Sequence, residues 1–165
     1  MERSGVEQVP GFKNTTLLER NHKLFKEDIN DSWLAFDFFI TANHLLDWYY
    51  PADANNKKKT RKQKRNINRL KNKHVILQIV NHIANGAKHF VVTNEHNQSV
   101  ESIESGKIKF FKPIDEKGRL TATNPKTGLR INLDREAKHK YGKYIYAHDL
   151  ADKLIEFWKK QLADK

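Results

Sequence analysis

Residues 33–50 read WLAFDFFITANHLLDWYY, a run with no glycine or proline that Pro51 closes. At about 100° per residue, apolar side chains fall almost all the way round it. Ala35, Phe38, Phe39, Ala42, Leu45, Leu46 and Tyr49 share one side, and Trp33, Phe36, Ile40 and Trp48 the other. A helix apolar on both sides belongs at the centre of a bundle. Asn30, Asp31 and Ser32 offer N-cap chemistry immediately before it. Asp37, Thr41, His44 and Asp47 interrupt its apolar surface, and burying such groups requires partners.

Upstream, Thr16 and Glu19 have capping-box spacing, which predicts a helix from Leu17 to Ile29 with Leu17, Leu24 and Phe25 on its apolar face. Downstream, Ala52 to Lys59 reads as a loop. From Thr60 no glycine or proline occurs until Gly86, and Ile67, Leu70, Leu77, Ile79, Val80 and Ile83 form a helical stripe. A third helix over Arg61 to Lys88 follows, with a break near Asn72 because asparagine is a poor helix former. Lys107 to Ile114 and Leu129 to Leu133 alternate like strands, with turn chemistry at Glu116–Gly118 and Asn124–Gly128. Leu150, Leu154, Ile155, Trp158 and Leu162 return to helical spacing after Asp149, a cap. The fold class expected is mainly α: a helical bundle of three to four core helices with a small antiparallel β insertion before the C-terminal helix. One domain spans residues 1–165, with a basic loop and helix arm at 54–73 and a β-containing insertion at 99–146.

The chain has 165 residues, enough to bury about two thirds of its unfolded surface. Nine Phe, five Tyr and three Trp supply a core, so the 31 Lys/Arg and 20 Asp/Glu are surface. No cysteine is present, which excludes disulfides, thiolate metal sites and cysteine nucleophiles. Met1 to Pro10 has no signal-like apolar run and no stretch approaches a membrane span of roughly 20 apolar residues, so no membrane association and a cytoplasmic location are expected. Neither a glycine-rich phosphate loop, a hydrolase serine motif nor a clear zinc pattern occurs, and no cofactor is expected.

Charge is distributed unevenly. Ala54 to Asn94 holds eleven Lys/Arg and no Asp or Glu, whereas the remainder holds twenty of each, so the whole net charge of +11 lies in one window. Lys57, Lys58, Lys59, Arg61, Lys62, Lys64, Arg65, Arg69, Lys71 and Lys73 place ten cations in seventeen residues. Such density repels itself unless a polyanion neutralises it, which RNA or DNA backbones do with release of condensed ions. A solvated face would serve solubility alone, but such faces ordinarily mix signs. Without interleaved aromatics the arm offers backbone affinity rather than base reading.

Beyond the arm, His74, Gln78, Asn81, His82, Asn85, Lys88 and His89 fall within an arc of about 120° on the third helix. An amphipathic helix needs some polar side. Three histidines there, opposite His44 and Asp47 of the central helix, exceed that need. His89 suits a general acid or base near neutral pH, Lys88 a stabiliser of developing phosphate charge and Asn85 a positioning group, with His44 and Asp47 facing them. That combination fits metal-independent RNA cleavage, in which the 2′-hydroxyl attacks the neighbouring phosphate. A metal held by His82, His89, His44 and Asp47 is the lesser alternative, since no His-Glu-x-x-His motif accompanies them, and no metal is expected.

Asp31 to Phe90 resembles the HEPN superfamily, small helical bundles whose signature is an Arg followed by four to six residues and a His at a helix end. Arg69-Leu70-Lys71-Asn72-Lys73-His74 has the spacing literally. Asn85 to His89 has the polar pair before a helix end and lacks the arginine. The resemblance implies a ribonuclease site assembled across a homodimer, in toxin or phage-defence settings. Asn43 to Trp48 and the Asn-Gly-x-Lys-His-Phe stretch ending at Phe90 are also similar to uncharacterised bacterial proteins, which imply no activity.

Three readings stand at this point: an RNA-cleaving or degenerate HEPN-like protein, a sequence-indifferent DNA- or RNA-binding accessory protein, and an antitoxin or scaffold whose arm meets an acidic protein partner.

Overall fold

The computed structural model describes residues 12–52, 58–89, 99–108, 111–112, 121–122 and 126–163. The chain is mainly α: the described residues form six helices, with a small antiparallel sheet before the last of them. Helix α1 spans Phe12–Glu27, α2 Ser32–Tyr49, α3 Arg61–Lys73, α4 Val75–His89, α5 Arg135–Tyr141 and α6 Ala147–Ala163. Among the described residues no helix is long and apolar enough to cross a membrane.

The central run becomes α2 as expected. Asp31 caps it, its carboxylate accepting from the amides of Trp33 and Leu34 at 2.8 and 3.1 Å. Ala35, Phe38, Phe39, Ala42, Leu45 and Leu46 are buried against α1, α4 and α6, which contribute Leu18, Phe25, Leu77, Ile79, Val80, Leu150, Leu154 and Trp158. Fully burying such side chains supplies about 1.5–3 kcal/mol each, so α2 organises the fold. Polar ties orient the bundle: Asn21 of α1 donates to the Thr41 hydroxyl of α2 at 3.0 Å, both buried. His22 and Lys26 of α1 engage Asp152 of α6 at 2.7 and 2.8 Å. Burial pushes the Asp152 carboxyl up, but the hydrogen bonds and charges of Lys26 and His22 outweigh it and hold the group below its ordinary range.

The strand expected from Lys107 to Ile114 is replaced by β1, Val100–Ile108, and a two-residue strand at Phe111–Lys112, and helix boundaries differ from the sequence expectation in three places. Helix α1 begins at Phe12, so Thr16 lies inside it rather than capping it. The third helical segment divides at His74, two residues past the expected break at Asn72. His74 is extended at φ −126° and ψ 105°, and Gln78 donates to the Asn72 carbonyl at 3.2 Å. Asp149 falls in the first turn of α6 instead of before it.

Strand β1, Val100–Ile108, pairs antiparallel with β4, Lys126–Leu133, which pairs antiparallel with β5, Tyr144–Tyr146. Short strands β2, Phe111–Lys112, and β3, Thr121–Ala122, form a separate antiparallel pair. Ile131 and Leu133 turn the larger sheet's inner face onto the helical core, with Ala147 and Leu150 of α6 beside them. The turn expected at Glu116–Gly118 and the first part of that at Asn124–Gly128 lie outside the described residues.

Candidate nucleic-acid interface

Helix α3 has a built beginning. Thr60 accepts from the Gln63 amide at 3.2 Å, and the Gln63 side chain accepts from the Thr60 amide at 2.7 Å. This capping box starts the basic helix where no acidic residue is present to favour its N-terminus. Gln63 also donates to the Pro51 carbonyl, tying the new helix to the end of α2. Ile67 is buried and Leu70 packs against the core, so one face of α3 is anchored and the opposite face is fixed outward.

Arg61, Lys62, Lys64, Arg65, Arg69 and Lys73 occupy that outward face, all exposed. Among the described residues no carboxylate pairs with any of them. Lys58 is also exposed, and Lys57 lies outside the described residues. Lys59 and Lys71 behave differently from the rest of the arm. Lys59 donates to the Asp47 carboxylate at 2.6 Å and to its carbonyl at 3.0 Å. Lys71 turns inward to Asn81 Oδ1 at 2.7 Å. Burial pushes the Lys71 ammonium below its ordinary range, Asp47 pulls it back and Lys59 adds to the lowering. The described part of the arm therefore has six outward cations on α3 and two lysines, Lys59 and Lys71, held by the fold.

Within the polar stripe, Gln78, Asn81 and His82 hydrogen-bond to groups outside α2, rather than to the polar groups of α2 that the sequence suggested for them. His44 Nδ1 lies 3.5 Å from Asp47 on its own helix, and the second partner of Asp47 is Lys59. Burial pushes the Asp47 carboxyl up, and Lys59 and His44 together bring it below its usual range. On α4, Gln78 serves Asn72, Asn81 receives Lys71, and His82 Nδ1 accepts from the Ser99 and Val100 amides at 3.1 and 3.0 Å. His74 packs edge-on against Phe157 of α6, with ring centroids 5.0 Å apart. Asn85 is half-buried on α4.

Helices α2 and α4 run antiparallel, since Lys71, just before α4, reaches the field of Asp47 while Gly86 near the end of α4 shares a cleft with Trp33 and Phe36. The backbone of His89 therefore lies at the Trp33 end of α2, away from His44 and Asp47. The geometry does not bring the five residues His44, Asp47, Asn85, Lys88 and His89 into one cluster; the side chains of Lys88 and His89 lie outside the described residues. Nor, among the described residues, do three or more His, Asp or Glu side chains gather as metal ligands would.

Sequence reasoning missed the cleft itself, about 760 Å³ between the N-terminal half of α2, the second half of α4 and the start of β1. Trp33, expected on an apolar face of a buried helix, is 82% exposed at its rim. Its signal was present in the second apolar side of α2, of which Trp33 is left exposed and Phe36 and Ile40 line the cleft. No protein-family model, curated protein or solved structure matches this chain, so the functional reading rests on its own residues.

Proposed function

We propose that this chain binds nucleic acid through the outward face of α3, contacting the phosphate backbone without reading sequence. The observation that carries the reading is the set of six exposed cations on one anchored helix with no carboxylate partner among the described residues. A helix needing only solubility gains more from interspersed signs than from a single one, because like charges a turn apart destabilise it. A polyanion removes that penalty and releases counterions. The test replaces Arg61, Lys62, Lys64 and Arg65 by Glu and follows retention of single-stranded RNA and duplex DNA against salt. Removing one cation from a phosphate reduces the log–log salt slope by roughly 0.9 on duplex and 0.7 on single strands, so the variant's slope drops by about three units. An unchanged slope overturns the reading.

A second reading, metal-independent RNA cleavage of the HEPN kind, is favoured by one observation. His74 caps the end of α3 with Arg69 five positions before it, the spacing that the resemblance asks for at a helix end. Burial, Lys73 and Lys140 lower the His74 pKa, which supports a neutral ring able to accept a proton near pH 7. The resemblance also supplies the expectation of a homodimer.

A further inference from the structure

The cleft beside Trp33 is distinct from the basic face of α3. Trp33, Phe36 and Ile40 of α2 give it an aromatic and apolar wall, and Asp37, Glu101 and His82 give it polar groups. No lysine or arginine lines it among the described residues. A volume of about 760 Å³ lies within the roughly 300–1,000 Å³ range of small-ligand sites.

His82 decides what fits. Its Nδ1 accepts from two backbone amides, so the ring's proton resides on Nε2 and the side chain offers one N–H donor. Burial lowers its pKa, which keeps the ring neutral near pH 7 and preserves both backbone bonds. The polar inventory among the described residues is one neutral N–H donor, two carboxylate acceptors, the Ser32 and Ser102 hydroxyls, which can donate or accept, and an exposed indole. A phosphate is disfavoured because the described lining holds two carboxylates and no lysine or arginine. A guanidinium satisfies the carboxylates and stacks on indole, yet it has no acceptor for the His82 N–H. A planar base with a carbonyl or ring-nitrogen acceptor beside two N–H donors meets the His82 donor and one carboxylate at once and leaves the other carboxylate to solvent or a serine hydroxyl. Among the common bases guanine has that edge, with O6 and N7 as acceptors and N1–H and N2–H as donors.

We propose that the α2–α4–β1 cleft binds a guanine base, stacked on Trp33, with the Asp37 or Glu101 carboxylate accepting from its N–H edge and His82 donating to its acceptor. Stacking on an aromatic side chain is a common way for proteins to hold an unpaired base, and a carboxylate facing the two N–H groups separates guanine from adenine. The inference stands whether or not α3 holds a phosphate backbone, since a free nucleoside carries no phosphate.

The experiment is a titration of the full chain with guanosine, adenosine and arginine amide, read at the indole N–H of Trp33 and the amides of Ser99 and Val100 by NMR. Guanosine is expected to shift all three saturably. Adenosine is expected to bind at least about tenfold more weakly, because a site built for hydrogen bonds rejects an analogue that leaves them unpaired. Trp33→Leu and the double variant Asp37→Asn, Glu101→Gln are each expected to weaken guanosine at least about tenfold, with unchanged amide spectra elsewhere showing an intact fold. No saturable shift, equal response to adenosine, tighter binding of arginine amide, or guanosine binding indifferent to these substitutions overturns the proposal. Because Arg61 to Arg65 are untouched, RNA retention measured on the same variants reports separately on the basic face.

Discussion

Lys59 reaches back across the loop to Asp47, its ammonium 2.6 Å from the carboxylate and 3.0 Å from the main-chain carbonyl. The lysine side chain is 18% exposed and the aspartate 52%, so the contact is screened on the carboxylate side. Asp47→Asn keeps the carbonyl contact and removes the charge. The expected loss of stability is at most about 1 kcal/mol, the range of solvent-exposed pairs. A carboxyl whose pKa falls on folding stabilises above its unfolded value and loses that contribution as pH drops through the folded one. Urea midpoints of wild type and variant should therefore differ at neutral pH and converge below about pH 4. Equal midpoints at neutral pH, or a gap persisting into acid, would contradict an electrostatic role for Asp47.

His82 ties α4 to the first residues of β1 through the Ser99 and Val100 amides. His82→Phe preserves the ring's bulk and strips away the acceptor, leaving two partly buried donors unpaired. The expected destabilisation is about 1–3 kcal/mol. Because folding lowers this histidine's pKa, the unfolded chain binds the proton more readily, so its presence weakens the fold as pH falls through about 6.5 and has no such effect above it. Burial lowers His74 and His148 in the same direction. Wild-type stability should thus fall between about pH 7 and pH 5, and His82→Phe should lose less over that interval. Parallel pH profiles for the two proteins would remove His82 from the account.

The legible part of the molecule was the part governed by local periodicity. The apolar face of α2, the stripe from Ile67 to Ile83 and the spacing of Leu150 to Trp158 each specify a helix and its buried side. Helix α5 and strand β5 escaped notice because residues 135–146 are mostly polar and only Ala137 and Ile145 there are buried hydrophobics. Gly142, at φ +88°, ends α5 in a backbone conformation that L side chains rarely adopt. The partner of Asp47 was invisible for another reason. Both Lys59 and the histidine stripe were chemically suitable, and the choice depended on the path of the intervening loop. A helical wheel likewise showed two apolar sides on α2 without saying which one the remaining chain would cover.

That last ambiguity has a measurable form in two aromatic residues of the same helix. Phe38 is fully buried and makes edge-on contact with Phe39, whereas Trp33 stands 82% exposed. Phe38→Ala is expected to cost about 3–5 kcal/mol through reduced burial and a residual cavity. Trp33→Ala should stay within about 0.5 kcal/mol, as surface substitutions do. Denaturant titration checks both. A Trp33→Ala loss comparable with that of Phe38→Ala would make the cleft wall a part of the folding core.

Cleavage chemistry can be separated from binding by asking which histidine matters. Labelled RNA is incubated with the full chain in EDTA, and the products are examined for 2′,3′-cyclic phosphate ends, the mark of attack by the neighbouring hydroxyl. If the end of α4 is the site, His89→Ala abolishes cleavage and leaves RNA retention unchanged. If the literal Arg-x4-His spacing at the end of α3 is the site, His74→Ala abolishes cleavage, and Arg69→Ala both abolishes it and lowers the salt slope by roughly 0.7, the share of a single phosphate. Retention that depends on Arg61 to Arg65 while no histidine substitution has any effect identifies binding without catalysis. Failure to retain any nucleic acid near 0.15 M salt, where the Debye length is about 8 Å, would overturn the backbone reading and turn attention to an acidic protein partner for α3.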